Sequence, residues 1–184
     1  MAFMIKNTNW PRTAGVTGGG QAVLNQRIHV QRPAAVLPQS TTEVLFFVRG
    51  GKVKIYNMVG TATVVLTATD PGLSINSTAL DAAQAVVGTT LVIATTVSLA
   101  SLEVGGMAQI EGDGTAIVKY TAGGILAFNG AMATTTGGWL APQGEIYATT
   151  TGSNTTGQMK WDLWYQPLEE GAYVVAANAG TAII

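Results

Sequence analysis

The sequence predicts an all-β chain whose antiparallel strands close into a sandwich or barrel. Two observations carry this. Between residues 90 and 129 short apolar runs alternate with glycine turns (Gly105-Gly106, Gly112-Asp113-Gly114, Gly123-Gly124). Many short strands broken every roughly 8–12 residues mark such folds. Residues 145–177 then read as two strands joined by a polar tip at 151–157 and followed, after a turn, by a third. In the middle strand Met159, Trp161, Leu163 and Tyr165 share one face, while Lys160, Asp162, Trp164 and Gln166 share the other. That period of two belongs to a strand with one buried side. Two of the four tryptophans lie here, so this sheet is expected to hold the largest share of apolar burial.

The remaining elements follow in chain order. Residues 1–40 read as an extended N-terminal arm. Pro11, Pro33, Pro38 and the triplet Gly18, Gly19, Gly20 forbid a long helix or a central strand, and only Arg27-Ile28-His29-Val30 alternates enough to pair at an edge. Such an arm reaches up to ~130 Å when extended, and it is read either as lying across a neighbour or as a tail that wraps its own body. The body spans residues 41–177. Val44-Leu45-Phe46-Phe47-Val48 reads as a buried strand that turns tightly at Gly50-Gly51 into a second, with a bulge expected at Met58-Val59-Gly60 before the run 61–66. Asp70-Pro71-Gly72 is a turn and 73–77 a short strand. Thr78 to Asp81 resembles a capping pattern, so the one short helix is placed at about residues 79–87. Strands follow at 90–95, 101–104, 107–111, 116–120 and 125–129, and a last one at 171–177. Residues 178–184 read as a tail whose two closing isoleucines either tuck into a neighbouring groove or are disordered.

Composition narrows the function. Of 184 residues, 47% are apolar and only 10% charged, far below the roughly 25% of an ordinary soluble domain. So few charges imply that much of the surface is covered by other subunits. The charge is also lopsided: residues 1–54 hold seven cations against Glu43 alone, whereas residues 55–184 hold Lys119 and Lys160 against nine acids. The front of the chain, with Lys6, Arg12, Arg27 and Arg32, is therefore read as docking on an acidic surface. Its cations are spread singly, which argues against nucleic acid. There is no cysteine, hence no disulfide framework, and the first residues lack the apolar core of a signal peptide. The uncharged run 82–102 is long enough to raise a membrane span, but Gln84, Gly88, four threonines and two serines interrupt it. No membrane association is expected.

Catalytic signals are sparse. His29 is the only histidine and has no cysteine to pair with in a zinc or nucleophile site. The carboxylate pairs Glu111/Asp113 and Glu169/Glu170 flank glycines at apparent turns. Glu111-Gly112-Asp113-Gly114 lacks calcium-loop spacing, and Gly18-Gly19-Gly20 lacks the lysine of a phosphate loop. Asn76-Ser77-Thr78 and Asn154-Thr155-Thr156 match the glycosylation pattern without a secretory signal to make it relevant. No catalytic residue, cofactor, metal or small-molecule substrate is assigned. Trp139, Trp161, Trp164 and Tyr165 are assigned to core or subunit packing; a sugar platform from Trp139, Tyr147, Trp161, Trp164 and Tyr173 is the competing use.

The ending Trp161-Asp162-Leu163-Trp164-Tyr165-Gln166-Pro167-Leu168-Glu169-Glu170-Gly171-Ala172-Tyr173-Val174, after a Thr/Gly-rich hairpin, resembles the closing strands of small structural proteins of tailed-phage virions. Residues 53–66 resemble their first strands more loosely. The resemblance implies a jelly-roll-like capsid decoration (cement) protein: a dimer or trimer assembled in the host cytoplasm and attached to the major capsid protein on the outer shell. The expectation is thus a non-enzymatic virion protein that binds itself and the capsid, the arm being its anchor. A tail-fibre or receptor-binding module recognising host glycans through Trp164 is the alternative, and a glycosidase using Glu111 or Asp113 the third reading.

Overall fold

A computed structural model describes residues 27–66, 72–81, 83–110, 117–120, 138–152 and 156–180. Lys6, Arg12, the glycine triplet, the strand expected at 125–129, the Glu111/Asp113 pair and the closing isoleucines lie outside them. Eleven strands and no helix are found among the described residues: β1 (Ile28–Val36), β2 (Thr42–Arg49), β3 (Val53–Val64), β4 (Gly72–Leu80), β5 (Val86–Ser98), β6 (Met107–Ile110), β7 (Val118–Tyr120), β8 (Trp139–Ala141), β9 (Gly144–Thr151), β10 (Gln158–Pro167) and β11 (Tyr173–Ala176). They form two antiparallel sheets. One runs β1-β10-β3-β6-β7, with β8 also paired to β3; the other runs β11-β2-β9-β4-β5. The sheets pack face to face as a β-sandwich.

The alternation in β10 is realised. Met159, Trp161, Leu163 and Tyr165 are buried in the inter-sheet core, with Ile55, Met58 and Ile110 from the same sheet and Phe46, Leu73, Ile75 and Ile146 from the other. Trp161 is fully enclosed because its partner on β3 is Gly60: a Cβ there would lie 2.6 Å from the indole. This explains the broken pattern at residues 58–60. The glycine admits a ring and is not a bulge; the register shifts of β3 fall instead at Tyr56 and Thr63.

Three expected elements are corrected. Runs read as hairpins are corners between sheets: β2 pairs β9 and β11, whereas β3 pairs β10, β6 and β8. Gly50 (φ 71°) turns the chain from one sheet to the other, and a Cβ on it would lie 2.2 Å from the Gly171 carbonyl oxygen. Likewise β9 and β10 belong to opposite sheets. The helix expected at 79–87 is the β4–β5 hairpin: Asp81 Oδ1 accepts the Ala83 and Ala85 N–H groups at 2.8 and 2.9 Å, so the residue read as a helix cap builds a turn. The run 101–104 is also a turn, closed by Leu102 N–H to the Leu99 carbonyl and Gly106 N–H to the Glu103 carbonyl.

The N-terminal boundary moves too. Residues 28–36, expected in the arm, form β1 at the edge of the six-stranded sheet, paired with β10 from Ile28↔Tyr165 to Val36↔Gln158. Among the described residues no helix is long and apolar enough to cross a membrane.

Candidate functional site

Three places bring polar or exposed apolar side chains together. The first is the outer face of the six-stranded sheet. Antiparallel pairing sets His29 opposite Trp164, which is opposite Asn57, and sets Gln31 opposite Asp162. Asp162 Oδ1 accepts from His29 Nε2 and Gln31 Nε2, both at 2.8 Å, and Lys160 Nζ lies 3.8 Å from Oδ2. The His29 imidazole stacks on Trp164 with centroids 4.8 Å apart. The bulge at Tyr56 leaves that residue unpaired in the ladder and beside the outward Lys54 and Asn57. Its hydroxyl donates to Gln166 Oε1, and its ring carries the Arg27 guanidinium at 4.3 Å and the Lys54 ammonium at 5.1 Å. Of the five aromatics read as a sugar platform, Trp139, Tyr147 and Trp161 are buried, while Trp164 and Tyr173 reach the surface on different sheets.

The second place is β5, thirteen residues long and the edge of the five-stranded sheet. Its sequence VVGTTLVIATTVS contains no charge and no proline, the usual guards of an edge. Val86, Val87, Leu91 and Val92 are each about half exposed. Three register shifts against β4 interrupt its regularity. The exposed feature is thus a set of apolar side chains, not an unbroken row of backbone donors and acceptors.

The third is a buried ion pair beside a groove. Arg32 on β1 and Glu43 on β2 are 2% and 4% exposed and bonded to each other, joining the two sheets. Arg32 Nε donates to the Ala177 carbonyl at 3.3 Å, and Glu43 Oε1 also accepts the Gly180 N–H. An open groove of about 780 Å³ runs past Ala35, Pro38, Thr42, Glu43, Gln158 and Gly180. Glu43 Oε2 has no hydrogen-bond partner among the described residues, but it is shielded from solvent and so from anything in the groove.

The expected site residues are thus dispersed. Arg27 sits on the outer face over Tyr56. Arg32, expected to reach a partner, is enclosed and committed to Glu43: a guanidinium at that depth cannot touch another protein. Trp139, Trp161 and Tyr165 belong to the core and only Trp164 to the surface. Burial raises the Tyr165 phenol, partly offset by a hydrogen bond from the Val174 backbone on the facing sheet. Glu169 is bonded to Lys52, whose ammonium lies 3.4 Å from Oε1. The Lys52 backbone N–H donates to its Oε2 at 2.9 Å and holds the carboxyl below its ordinary value. Sequence reasoning missed the His29–Asp162–Gln31 cluster, because its members lie about 130 residues apart and meet only through the β1–β10 register. It also missed the exposure of β5, since its Val/Thr pattern reads as any buried strand. No group of three His, Cys, Asp or Glu able to hold a metal occurs among the described residues. The chain matches no family model, and no curated protein or solved structure is significantly similar to it.

Proposed function

We propose that this protein is a non-enzymatic structural building block that assembles with copies of itself, and that it serves as a jelly-roll-like decoration protein on the outer capsid of a tailed-phage virion. The observation that carries self-assembly is β5, an edge strand with neither charge nor proline and four half-exposed apolar side chains. Val86 and Val87, like Leu91 and Val92, are consecutive and point to opposite faces, so apolar side chains flank this edge on both sides of the sheet. The bulged register makes the contact one of side-chain faces rather than a ladder continued between molecules. An interface without charges has no self-repulsion, which suits the symmetric pairing of identical surfaces.

The virion assignment rests on the resemblance of the ending around Trp161-Asp162-Leu163-Trp164-Tyr165 and on the scarcity of charge. Its test is a solution mass followed by electron microscopy of the protein with its source particle. Regular density on the outer shell is expected; a protein that leaves the shell undecorated overturns the capsid reading. Removal of residues 1–26, which spares β1, tests the arm as anchor: the body should fold and attachment should be lost.

A further inference from the structure

We propose that the outer face of the six-stranded sheet docks the acidic face of a different protein. Six cationic side chains are described. Arg32 is buried against Glu43, Lys52 is paired with Glu169, and Arg49 lies over Phe47 on the other sheet. The remaining three, Arg27, Lys54 and Lys160, gather on this one face. Asp162 is the only carboxylate that β1, β3 and β10 turn outward beside them, and its oxygens are already taken by His29, Gln31 and Lys160. Asp162 offsets Lys160, so a chain that carries nine acids beyond residue 54 still leaves Arg27 and Lys54 on this face with no carboxylate of these strands to neutralise them.

The chemistry of the patch selects among anions. Arg27 and Lys54 are held over the Tyr56 ring, and His29 covers Trp164, so the cations are placed before a partner arrives and little ordering cost remains. The same contacts occupy the ring faces on which sugars or unpaired bases stack. Three separated cations are also few for a nucleic-acid backbone, whose binding scales with the number of phosphates neutralised. Side-chain carboxylates at protein spacing, met by one arginine and two lysines with Asn57 and Gln31 at the rim, are the match that remains.

The test uses the full chain with fluorescently labelled poly-L-glutamate as probe, at about 50 mM and about 500 mM salt. One variant, Arg27→Gln/Lys54→Gln/Lys160→Gln, empties the face; a matched variant, Arg49→Gln/Lys52→Gln/Lys119→Gln, removes equal charge at positions outside both the strands of this face and the N-terminal arm. Each cation is expected to contribute about twofold to fivefold, so the face variant should bind at least about tenfold more weakly. The matched variant should stay within about twofold, and high salt should weaken wild-type binding strongly. No binding by the wild type, or equal loss in both variants, overturns the proposal. So does binding of heparin or oligo(dT) in place of poly-L-glutamate, which would assign the face to a glycan or to nucleic acid. If the triple variant does not fold, the three single substitutions make the same comparison. Solution mass is read on every sample, so a failure of self-association is seen separately from a failure of docking.

Discussion

Replacing Arg32 with methionine removes a guanidinium that is 2% exposed and leaves the Glu43 carboxylate, 4% exposed, facing no cation. The same change deletes the bond from Arg32 Nε to the Ala177 carbonyl, one link between β1 and the segment after β11. Breaking a buried ion pair on one side costs about 3–5 kcal/mol, because an uncompensated charge stays in a medium that solvates it poorly. Replacing both partners, as Arg32→Met/Glu43→Leu, should leave stability near wild type or raise it by about 1–4 kcal/mol, since two desolvated charges give way to apolar contact. Urea denaturation at fixed protein concentration reads both effects. With a slope of about 2 kcal/mol per molar, the single variant's midpoint should fall by about 1.5–2.5 M while the double variant recovers it. A single-variant loss below about 1 kcal/mol would refute the reasoning and return Arg32 to the surface, where the sequence alone had put it.

Other outcomes follow from the same geometry. Trp161→Ala, in the centre of the core, should cost about 3–5 kcal/mol, whereas Trp164→Ala on the outer face should cost far less; thermal melts compare them. Gly60→Ala drives a methyl into the Trp161 ring, fully buried and with little room to retreat, so a loss of about 1–3 kcal/mol is expected in the same assay. The Glu169 carboxyl is held low by the Lys52 N–H, so its contribution is present above the unfolded carboxyl value. It should disappear as acid protonates the folded group, and Glu169→Gln should flatten that part of the stability profile below about pH 5. Tyr165 has the opposite sign. Its phenol is raised by burial, so stability should hold below about pH 10 and fall above it as the unfolded chain ionises first, and Tyr165→Phe should remove that alkaline loss.

What the sequence made legible was local, and what it hid was tertiary. Period-two alternation in β10 identified its buried face residue by residue, because that pattern depends only on the pleat. The destination of each strand was not written the same way. A Gly-Gly pair after an apolar run marks a sharp reversal, yet a hairpin and a corner between sheets use the same residues at Gly50-Gly51. Asp81 shows a similar ambiguity: a carboxylate that bonds backbone N–H groups two and four residues ahead can start a helix or close a turn. The arm was overextended to residue 40 because Pro33 and Pro38 read as breakers. Pro33 in fact falls where β1 slips register against β10, between Arg32 and Ala35, a place an edge strand tolerates. Arg32 reads as a docking cation in the sequence because its burial depends on a glutamate eleven residues away and on Ala177 across the sandwich. The edge position of β5 is visible only from the sheet order, in which β4 is its one neighbour among the described residues.

Self-assembly through β5 is tested most directly by the solution mass of the wild type against Leu91→Lys/Val92→Lys. The two substitutions remove one exposed apolar side chain from each face of the edge and place two charges per copy on a strand that has none, without touching the core. Sedimentation equilibrium should give the wild type a mass two or three times 19.0 kDa and the variant a folded species of 19.0 kDa. A wild type that remains at 19.0 kDa at high concentration, or a variant that assembles as well as the wild type, would contradict the account.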